Sequence, residues 1–233
     1  MKKLTRSALS AAVVAALSTG GLAMTSTATA EVSVNIGVVS NYFFRGFSET
    51  DDGAAVQGGI DFEDASGFYL GTWVSNVDFG DDTSYELDLY AGFEGEFAGG
   101  FGYDVGYIYY AYPDARDGDD SLSADFGELY GELAYDMFYG GLAYTINDSS
   151  DSALETGDLY YYVGVDVPFA DVYSAGFLIG RTDFDDSDAD NYTHYTASLA
   201  RDAGDLGEFS FNLEYEDEFD KDLKAWVGWG ISF

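Results

Sequence analysis

The last eleven residues, Leu223-Lys224-Ala225-Trp226-Val227-Gly228-Trp229-Gly230-Ile231-Ser232-Phe233, alternate strictly between two kinds of side chain. The apolar set is Leu223, Ala225, Val227, Trp229, Ile231 and Phe233. The other set is mostly small or polar and consists of Lys224, Trp226, Gly228, Gly230 and Ser232. A period of two residues is typical of a β-strand whose two faces meet different surroundings. This stretch therefore predicts a strand with one apolar face.

Eleven earlier segments repeat this alternation, and together they predict an all-β chain of about twelve strands. They are Val32–Phe44, Ala54–Glu63, Phe68–Val77, Tyr85–Glu94, Phe101–Tyr112, Ala124–Tyr135, Phe138–Ile146, Asp158–Val167, Val172–Thr182, Tyr192–Arg201 and Glu208–Tyr215. The composition agrees, because 20 Tyr and 18 Phe interleave with 29 Gly while only 2 Pro occur. So many aromatic residues also argue against a disordered chain.

The connections between these segments alternate in character. Those after odd-numbered segments are long or acidic, whereas those after even-numbered segments are short. Outer-membrane barrels have short periplasmic turns, longer external loops and strands that alternate apolar outside and polar inside. A soluble sandwich would also alternate, but it would bury its apolar faces against a second sheet. The pattern favours a single transmembrane antiparallel up-and-down β-barrel with both termini on the periplasmic side.

Aromatic residues at the segment ends predict the two girdles of such a barrel. The external set is Tyr42, Phe44, Phe79, Tyr109, Tyr112 and Phe184. The periplasmic set is Phe62, Phe68, Phe93, Phe101, Phe138, Phe209 and Phe233. The alternative interpretation is that they are ordinary core aromatics of a soluble β-domain.

Residues 1–30 have the features of a secretory signal peptide. Lys2, Lys3 and Arg6 precede an apolar run, and small residues ending at Ala30 follow it. The apolar run is well short of the roughly 20 residues that a membrane-spanning helix needs. We expect cleavage after Ala30, which leaves residues 31–233 as one barrel in the outer membrane of a Gram-negative bacterium.

The charge balance limits the partners. The chain has 43 acidic residues against 9 Lys and Arg, for a formal net charge of −34 at pH 7. Nucleic acids and other polyanions are therefore poor partners. The chain contains no cysteine, so no disulfide stabilises it. The partners expected of such a barrel are outer-membrane lipid and lipopolysaccharide, the outer-membrane assembly machinery and small solutes.

Four stretches carry a resemblance to a known family: Ser40–Ser48, Ala55–Glu63, Gly67–Asn76 and Glu86–Gly92. They resemble the TorF family of proposed porins, also described as the Gcw_chp proteins. The match in motifs covers the first four segments, and the strand pattern extends it loosely to the C-terminus. The resemblance implies an outer-membrane barrel without catalytic residues. Phe233 also resembles the terminal aromatic residue by which outer-membrane proteins are recognised for assembly.

The inward faces of the predicted strands carry many carboxylates. The candidate lumen and selectivity residues are Asp61, Glu63, Glu86, Asp88, Asp104, Asp158, Asp166, Glu208, Glu214 and Glu216, together with the cations Arg45 and Lys224. A wall lined by one sign of charge concentrates counter-ions, and rings of Asp and Glu favour cations. The function predicted first is a porin-like passive channel for small cationic or neutral solutes. The alternative to a selective channel is that these carboxylates only keep the lumen polar. Arg45 could form a structural ion pair or shape a constriction.

Two further functions remain open at this stage. One is a non-conducting structural or adhesive barrel that acts through its acidic external loops. The other is a barrel hydrolase, which would depend on His194, the only histidine in the chain. Thr196 and Ser198 share its face, but no nucleophile motif surrounds them, so we expect no enzyme activity.

No metal or cofactor site is expected. Asp186, Asp188 and Asp190 alternate as in an EF-hand loop, but Asn191 and Ala197 occupy the positions of its glycine and its last glutamate. Only a loose association of Ca²⁺ or Mg²⁺ with the acidic loops is predicted.

Overall fold

The computed structural model describes residues 30–115, 124–150 and 152–233. Twelve antiparallel strands form a closed barrel, and two strands of two residues each form a separate small hairpin. In chain order the strands are β1 (Glu31–Val39), β2 (Phe43–Phe44), β3 (Phe47–Ser48), β4 (Ala55–Glu63), β5 (Phe68–Asn76), β6 (Tyr85–Phe97), β7 (Phe101–Ala111), β8 (Phe126–Tyr135), β9 (Phe138–Asp148), β10 (Leu159–Phe169), β11 (Tyr173–Asp183), β12 (Tyr192–Asp202), β13 (Glu208–Glu216) and β14 (Lys224–Ser232). The predicted up-and-down barrel is confirmed.

The last strand closes the barrel against the first. β14 pairs with β1 from Asn35 opposite Ser232 to Val39 opposite Gly228. Val34 and Phe233 extend this seam by one pair beyond Asn35 and Ser232, since each donates its backbone N–H to the carbonyl of the other, at 3.2 Å and 2.9 Å. Closure leaves no sheet edge. A lipid environment requires such closure because it offers no water to hydrogen-bond with unpaired backbone groups.

The outer surface is apolar along every wall strand. In β1, for example, Val32, Val34, Ile36 and Val38 are all exposed, Val32 by 63%. In β6 the exposed Leu89 lies between the buried Asp88 and Tyr90. Apolar side chains outside and polar ones inside are the arrangement of a transmembrane barrel. Among the described residues, no helix is long and apolar enough to cross a membrane.

The two ends of the barrel differ. Both ends of the barrel chain and the tight turns near residues 64–67, 98–100, 136–137, 170–172 and 203–207 lie at one end, which we call the turn end. The longer connections lie at the other, which we call the loop end; their described residues are 40–54, 77–84, 112–115, 124–125, 149–150, 152–158, 184–191 and 217–223. The sequence predicted this alternation. The predicted signal peptide is residues 1–30, and all of it except Ala30 lies outside the described part of the chain.

The predicted first strand, Val32–Phe44, is wrong in its second half. β1 ends at Val39, and residues 40–54 leave the wall and fold into the barrel. Arg45 and Gly46 have φ values of 48° and 98°, which no strand can contain. Phe43 on this segment is only 3% exposed. We call residues 40–54 the inward segment.

The aromatic girdle predicted for the turn end agrees with the structure, whereas the one predicted for the loop end is largely wrong. Phe93, Phe101, Phe138, Phe209 and Phe233 are all exposed on the outer surface. At the loop end Phe79 is exposed, but Tyr42 and Tyr112 are buried and Phe44 and Phe184 pack against the buried core. Tyr42 and Phe44 lie inside because they belong to the inward segment, where they pack against Trp73 and Tyr110.

Inside the barrel, tyrosine rings lie flat across glycines of the neighbouring strand. A Cβ atom at Gly71 would lie 2.5 Å from the ring of Tyr90, and one at Gly141 would lie 2.7 Å from the hydroxyl of Tyr162. Tyr69 on Gly92, Tyr130 on Gly106 and Tyr139 on Gly164 repeat the arrangement. Rings placed over glycines keep close to the wall, so these tyrosines take up less of the bore than upright rings would.

Candidate functional site

The inward segment is the feature that narrows the barrel. It begins at Ser40, whose backbone N–H donates to the Val227 carbonyl at 2.9 Å, so its first residue is held on β14. It returns to the wall near Glu49, whose carbonyl accepts from the N–H of Asp78 at 2.8 Å. Between these anchors β2 and β3 form the small hairpin, with Arg45 and Gly46 at its tip.

Arg45, at the tip of the hairpin, extends its positive charge across the bore to the opposite wall. The guanidinium of Arg45 donates two hydrogen bonds to the Glu128 carboxylate of β8, at 2.9 Å and 2.7 Å. The same guanidinium lies 4.1 Å from the ring centre of Tyr160 and 4.6 Å from that of Phe44. The side chains of Arg45 and Glu128 are 9% and 1% exposed. A bidentate pair with so little solvent holds the hairpin tip in one position and keeps the charge of Arg45 next to that of Glu128.

Gly46 fits against the far wall because it lacks a side chain. A Cβ atom there would lie 2.8 Å from the Cβ of His194 and 3.2 Å from the Cβ of Glu216. Its φ of 98° is in the left-handed region that favours glycine. The hairpin tip therefore reaches β12 and β13, on the side of the barrel opposite to β6.

Aromatic contacts fill the remaining space around the segment. They join Tyr42 to Trp73 at 5.5 Å, Phe43 to Trp226 at 6.4 Å, Phe44 to Tyr110 at 5.5 Å, and Phe47 to Tyr192 at 4.8 Å between ring centres. The partners belong to β5, β14, β7 and β12. The segment thus contacts the wall on all sides, and burial of these rings stabilises its docked position.

The two halves of the interior differ in openness. The most deeply buried side chains, Ser75, Glu86, Asp88, Ile108, Tyr110, Phe126, Glu128, Thr145 and Thr182, all lie in the loop half of their strands. Towards the turn end, Glu63 is exposed and Asp61 and Asp166 are half-buried. Water therefore reaches the turn half of the interior more freely than the loop half.

Tyrosines hold the carboxylates of the turn half in place. Tyr69 donates to Asp104 at 2.5 Å, Tyr162 donates to Glu132 at 2.6 Å, and Tyr90 donates to Asp61. A phenol that donates to a carboxylate compensates part of its lost hydration without neutralising its charge. These three carboxylates are therefore held in fixed positions on the wall.

Two carboxylates of the loop half lie side by side on β6. Glu86 and Asp88 are 1% and 2% exposed and occupy successive positions on the inner face of this strand. The hydroxyl of Tyr42 on the inward segment donates to Glu86 at 3.5 Å. One oxygen of each carboxyl, Glu86 Oε2 and Asp88 Oδ1, has no hydrogen-bond partner.

Groups on the inward segment have shifted pKa values. Burial and then the charges of Glu86 and Asp88 raise the pKa of Tyr42 well above its ordinary value. Burial, followed by the charge of Glu86, likewise raises the pKa of Glu49. Burial alone would lower the pKa of Arg45, but the neighbouring Glu128 outweighs it and the pKa is raised. Arg45 is therefore permanently charged, whereas the docked segment favours neutral Glu49.

The predicted lumen carboxylates fall into distinct settings. Asp61, Glu63, Asp104, Asp166 and Glu208 lie towards the turn end, whereas Glu86, Asp88 and Glu214 lie in the loop half. Asp158 and Glu216 instead hold loops. Asp158 accepts from the backbone N–H groups of Glu155 and Asp185, and Glu216 accepts from those of residues 218–221.

The predicted lumen cations are both paired. Lys224 bonds to Asp52 and Asp220, each at 3.1 Å, at the loop end of β14. Arg45 lies deeper and bonds to Glu128, a residue absent from the predicted set. Glu128 and Glu132 alternate with the exposed Leu129 and Leu133 on β8, so the period of two could have identified them. The irregular start of this strand obscured that signal.

His194 is buried against the hairpin rather than facing open lumen. Its Nε2 lies 2.9 Å from the hydroxyl of Tyr160, and its Nδ1 lies 3.7 Å from Glu214. Thr196 donates to the same Glu214 carboxylate at 2.9 Å and offers no activated nucleophile. Within the described ranges, no group of three or more His, Cys, Asp or Glu side chains is arranged to hold a metal ion.

The fold and this interior define a transmembrane β-barrel whose bore is narrowed by a segment of its own first loop. The chain belongs to the Gcw_chp family, described as bacterial proteins of unknown function, because the family model matches residues 23–229. The predicted resemblance is thereby confirmed. None of the curated proteins compared with this sequence matches it.

Solved structures with a similar fold are porins. The KdgM porin is 12% identical with a TM-score of 0.56, over 86% of this chain and 98% of the porin. The NanC porin is 10% identical with a TM-score of 0.50, over 87% of this chain and 98% of the porin. At sequence identities this low, the similarity shows a common fold and nothing further.

Proposed function

We propose that this protein is a porin-like passive channel of the outer membrane for small, preferentially cationic or neutral solutes. The observation that carries the proposal is the charge of the interior. Carboxylates line it from β4 to β13, whereas Arg45, the one arginine of the described residues that reaches the bore, is neutralised by Glu128. The porin folds of similar structures support a channel, and the loop end would then face outward.

The position of the carboxylates suits cation preference. Asp61, Glu63 and Asp166 face the more open turn half, where a passing ion meets them at short range. A low-dielectric wall carrying one sign of charge raises the local concentration of the opposite ion and repels its own sign. Anions would therefore be excluded at the turn half, and neutral solutes would be limited by size alone.

The inward segment sets the size limit. Twelve strands lie between the eight of a barrel filled by side chains and the 16 to 18 of open porins, so one folded loop can obstruct the bore. Conduction would depend on how far the segment withdraws from Glu128 and His194. Small single-channel currents, with rare larger openings, are the expected behaviour.

Recording from the purified barrel in planar bilayers tests this function. In a salt gradient the reversal potential should show cation preference, and Asp61→Asn with Glu63→Gln should reduce it. Ser33→Ala, on the inner face of the neighbouring strand but uncharged, is the matched control and should leave selectivity unchanged. Absence of current at every voltage and pH, or a clear anion preference, would contradict the channel.

A second function is favoured by one observation, the dense packing around the inward segment. With Phe43, Tyr110 and Phe126 buried across the loop half, the barrel could remain sealed and act as a structural or adhesive protein through its acidic loops. Asp186, Asp188 and Asp190 are exposed in one of these loops. This function predicts liposomes that stay sealed and surface binding that is lost when residues 185–190 are removed.

We also propose that the protein is not an enzyme and binds no cofactor. Lipid hydrolysis that disappears in His194→Ala would contradict this. The proposed partners are outer-membrane lipid and lipopolysaccharide, the outer-membrane assembly machinery, and divalent cations held loosely by the loops. Release of lipopolysaccharide by a chelator would test that last association.

A further inference from the structure

The carboxyl pair of Glu86 and Asp88 is the most unusual group in the interior. Both residues lie on β6, two positions apart, and point to the same inner face. They are 1% and 2% exposed, and one oxygen of each carboxyl has no hydrogen-bond partner. Two carboxylates on successive inner-face positions with so little solvent cannot both carry a charge at low cost, so the docked form favours a proton on the pair.

Among the residues that the structure describes, the titratable groups that face the carboxyl pair include no cation. They are Tyr42 and Glu49 on the inward segment, Tyr90 on β6, Tyr110 and Tyr112 from β7 and its end, and Glu128 on β8. The adjacent strand β5 contributes Ser75 and Trp73 opposite the pair. Arg45 is already bonded through both arms to Glu128.

The inward segment forms the lid over this pair. Tyr42 donates to Glu86 and packs edge-on against Trp73, so its ring separates the pair from the loop end. If the segment leaves, water can hydrate both carboxylates, and their proton is no longer favoured. The docked state therefore binds at least one proton more than the undocked state, and acid favours docking.

We propose that the Glu86–Asp88 carboxyl pair is a proton-dependent switch that holds the inward segment in the bore. With a proton on the pair the segment stays docked and the barrel is closed. When the pair is fully ionised at higher pH, repulsion and the demand for hydration release the segment and open the bore. This inference rests on the proposed channel function, to which it adds the control of opening.

Tryptophan fluorescence can follow the segment without any ion current. Trp73 and Trp226 contact Tyr42 and Phe43 of the segment, so its departure should expose both indoles to acrylamide. Trp229 lies on the outer face of β14, and Trp229→Phe removes its background signal. The experiment uses the full barrel in liposomes, from about pH 4 to about pH 9, with bilayer current recorded in parallel.

In the Trp229→Phe protein, quenching and current should both rise with pH. For one linked proton the ratio of docked to undocked protein falls about tenfold per pH unit through the transition. Glu86→Gln with Asp88→Asn keeps the shapes of the side chains but cannot ionise, so the rise of quenching with pH should shrink to the smaller contribution of Glu49. Exchanging the two residues, Glu86→Asp with Asp88→Glu, keeps two carboxyls and should keep the transition.

Glu94→Gln is the matched control, because Glu94 is an inward carboxyl of the same strand near the turn end. It should keep the wild-type transition. If the neutral double variant responds to pH as the wild type does, or if wild-type quenching does not change with pH, the switch is wrong. Quenching that follows pH without any current would support the switch and contradict the channel, so the two failures are distinguishable.

Discussion

The guanidinium of Arg45 and the carboxylate of Glu128 meet inside the barrel through two hydrogen bonds, although 83 residues separate them in the chain. Arg45 is at the tip of the inward segment and Glu128 is on the wall strand β8. The pair therefore joins a loop to the opposite side of the pore that it obstructs. Its strength determines how readily that loop can withdraw.

Arg45→Ala should weaken docking of the inward segment. Removal of one partner leaves the other carboxylate buried without a counter-charge, which costs about 3–5 kcal/mol. Acrylamide quenching of Trp73 and Trp226, and the mean current, should both increase. Arg181→Ala is the control, because its pair with Asp183 is 39% and 38% exposed and contributes about 0–1 kcal/mol. Equal quenching in the two variants would contradict this role.

Gly46→Ala should also displace the segment, through sterics rather than charge. The new methyl group would lie 2.8 Å from the Cβ of His194, and neither atom belongs to a flexible side-chain end. Gly80→Ala is the matched control, since Gly80 also has a positive φ of 78° but nothing lies within 4 Å of its added Cβ. An alanine at either position adopts a positive φ, which costs about 1–3 kcal/mol of backbone strain in both variants. Only Gly46→Ala should raise quenching and current.

Glu49→Gln should extend docking to higher pH. Burial and the charge of Glu86 raise the pKa of Glu49 in the docked segment. An acid with a raised pKa stabilises the docked state below the ordinary glutamate pKa, and this stabilisation is lost as pH rises through the raised value. The neutral variant loses nothing on alkalinisation, so its quenching midpoint should move upward. Glu96→Gln, in an exposed position, should not move it; equal midpoints for both would exclude a role for Glu49.

Deletion of Phe233 should reduce assembly in the outer membrane. Phe233 exchanges backbone hydrogen bonds with Val34 at the seam and leaves its ring 76% exposed to the surroundings. The heat-modifiable folded fraction in outer-membrane preparations measures the effect. Removal of residues 186–188, three exposed loop residues, is the comparison. Similar folded yields for both deletions would count against an assembly role.

The wall of the barrel was predictable because the alternation within each strand indicates which side chains face outward and which face inward. Val227 and Trp226 on β14, for instance, are 54% and 3% exposed, as the alternation requires. The seam to β1 follows from closure, which lipid demands of any such sheet. Local periodicity is therefore sufficient for the wall.

The inward segment was not predictable in the same way. Apolar residues return at Tyr42 and Phe44 in register with Val32–Val38, so the sequence favours one long strand, although β1 ends at Val39. The docking partners Glu128 and His194 are remote in sequence. Contacts between a loop and distant strands leave no periodic signal, so Arg45 was predicted as an ion-pair residue without its partner.

The seam between β1 and β14 also imposes an order in time. The inward segment leaves the ribosome directly after β1, but its docking residues Glu128, His194 and Trp226 are made later, and Trp226 belongs to the very last strand. Until β14 joins β1, the pocket that receives the hairpin does not exist. The hairpin can therefore make all of its observed contacts only when the ring of strands is closed.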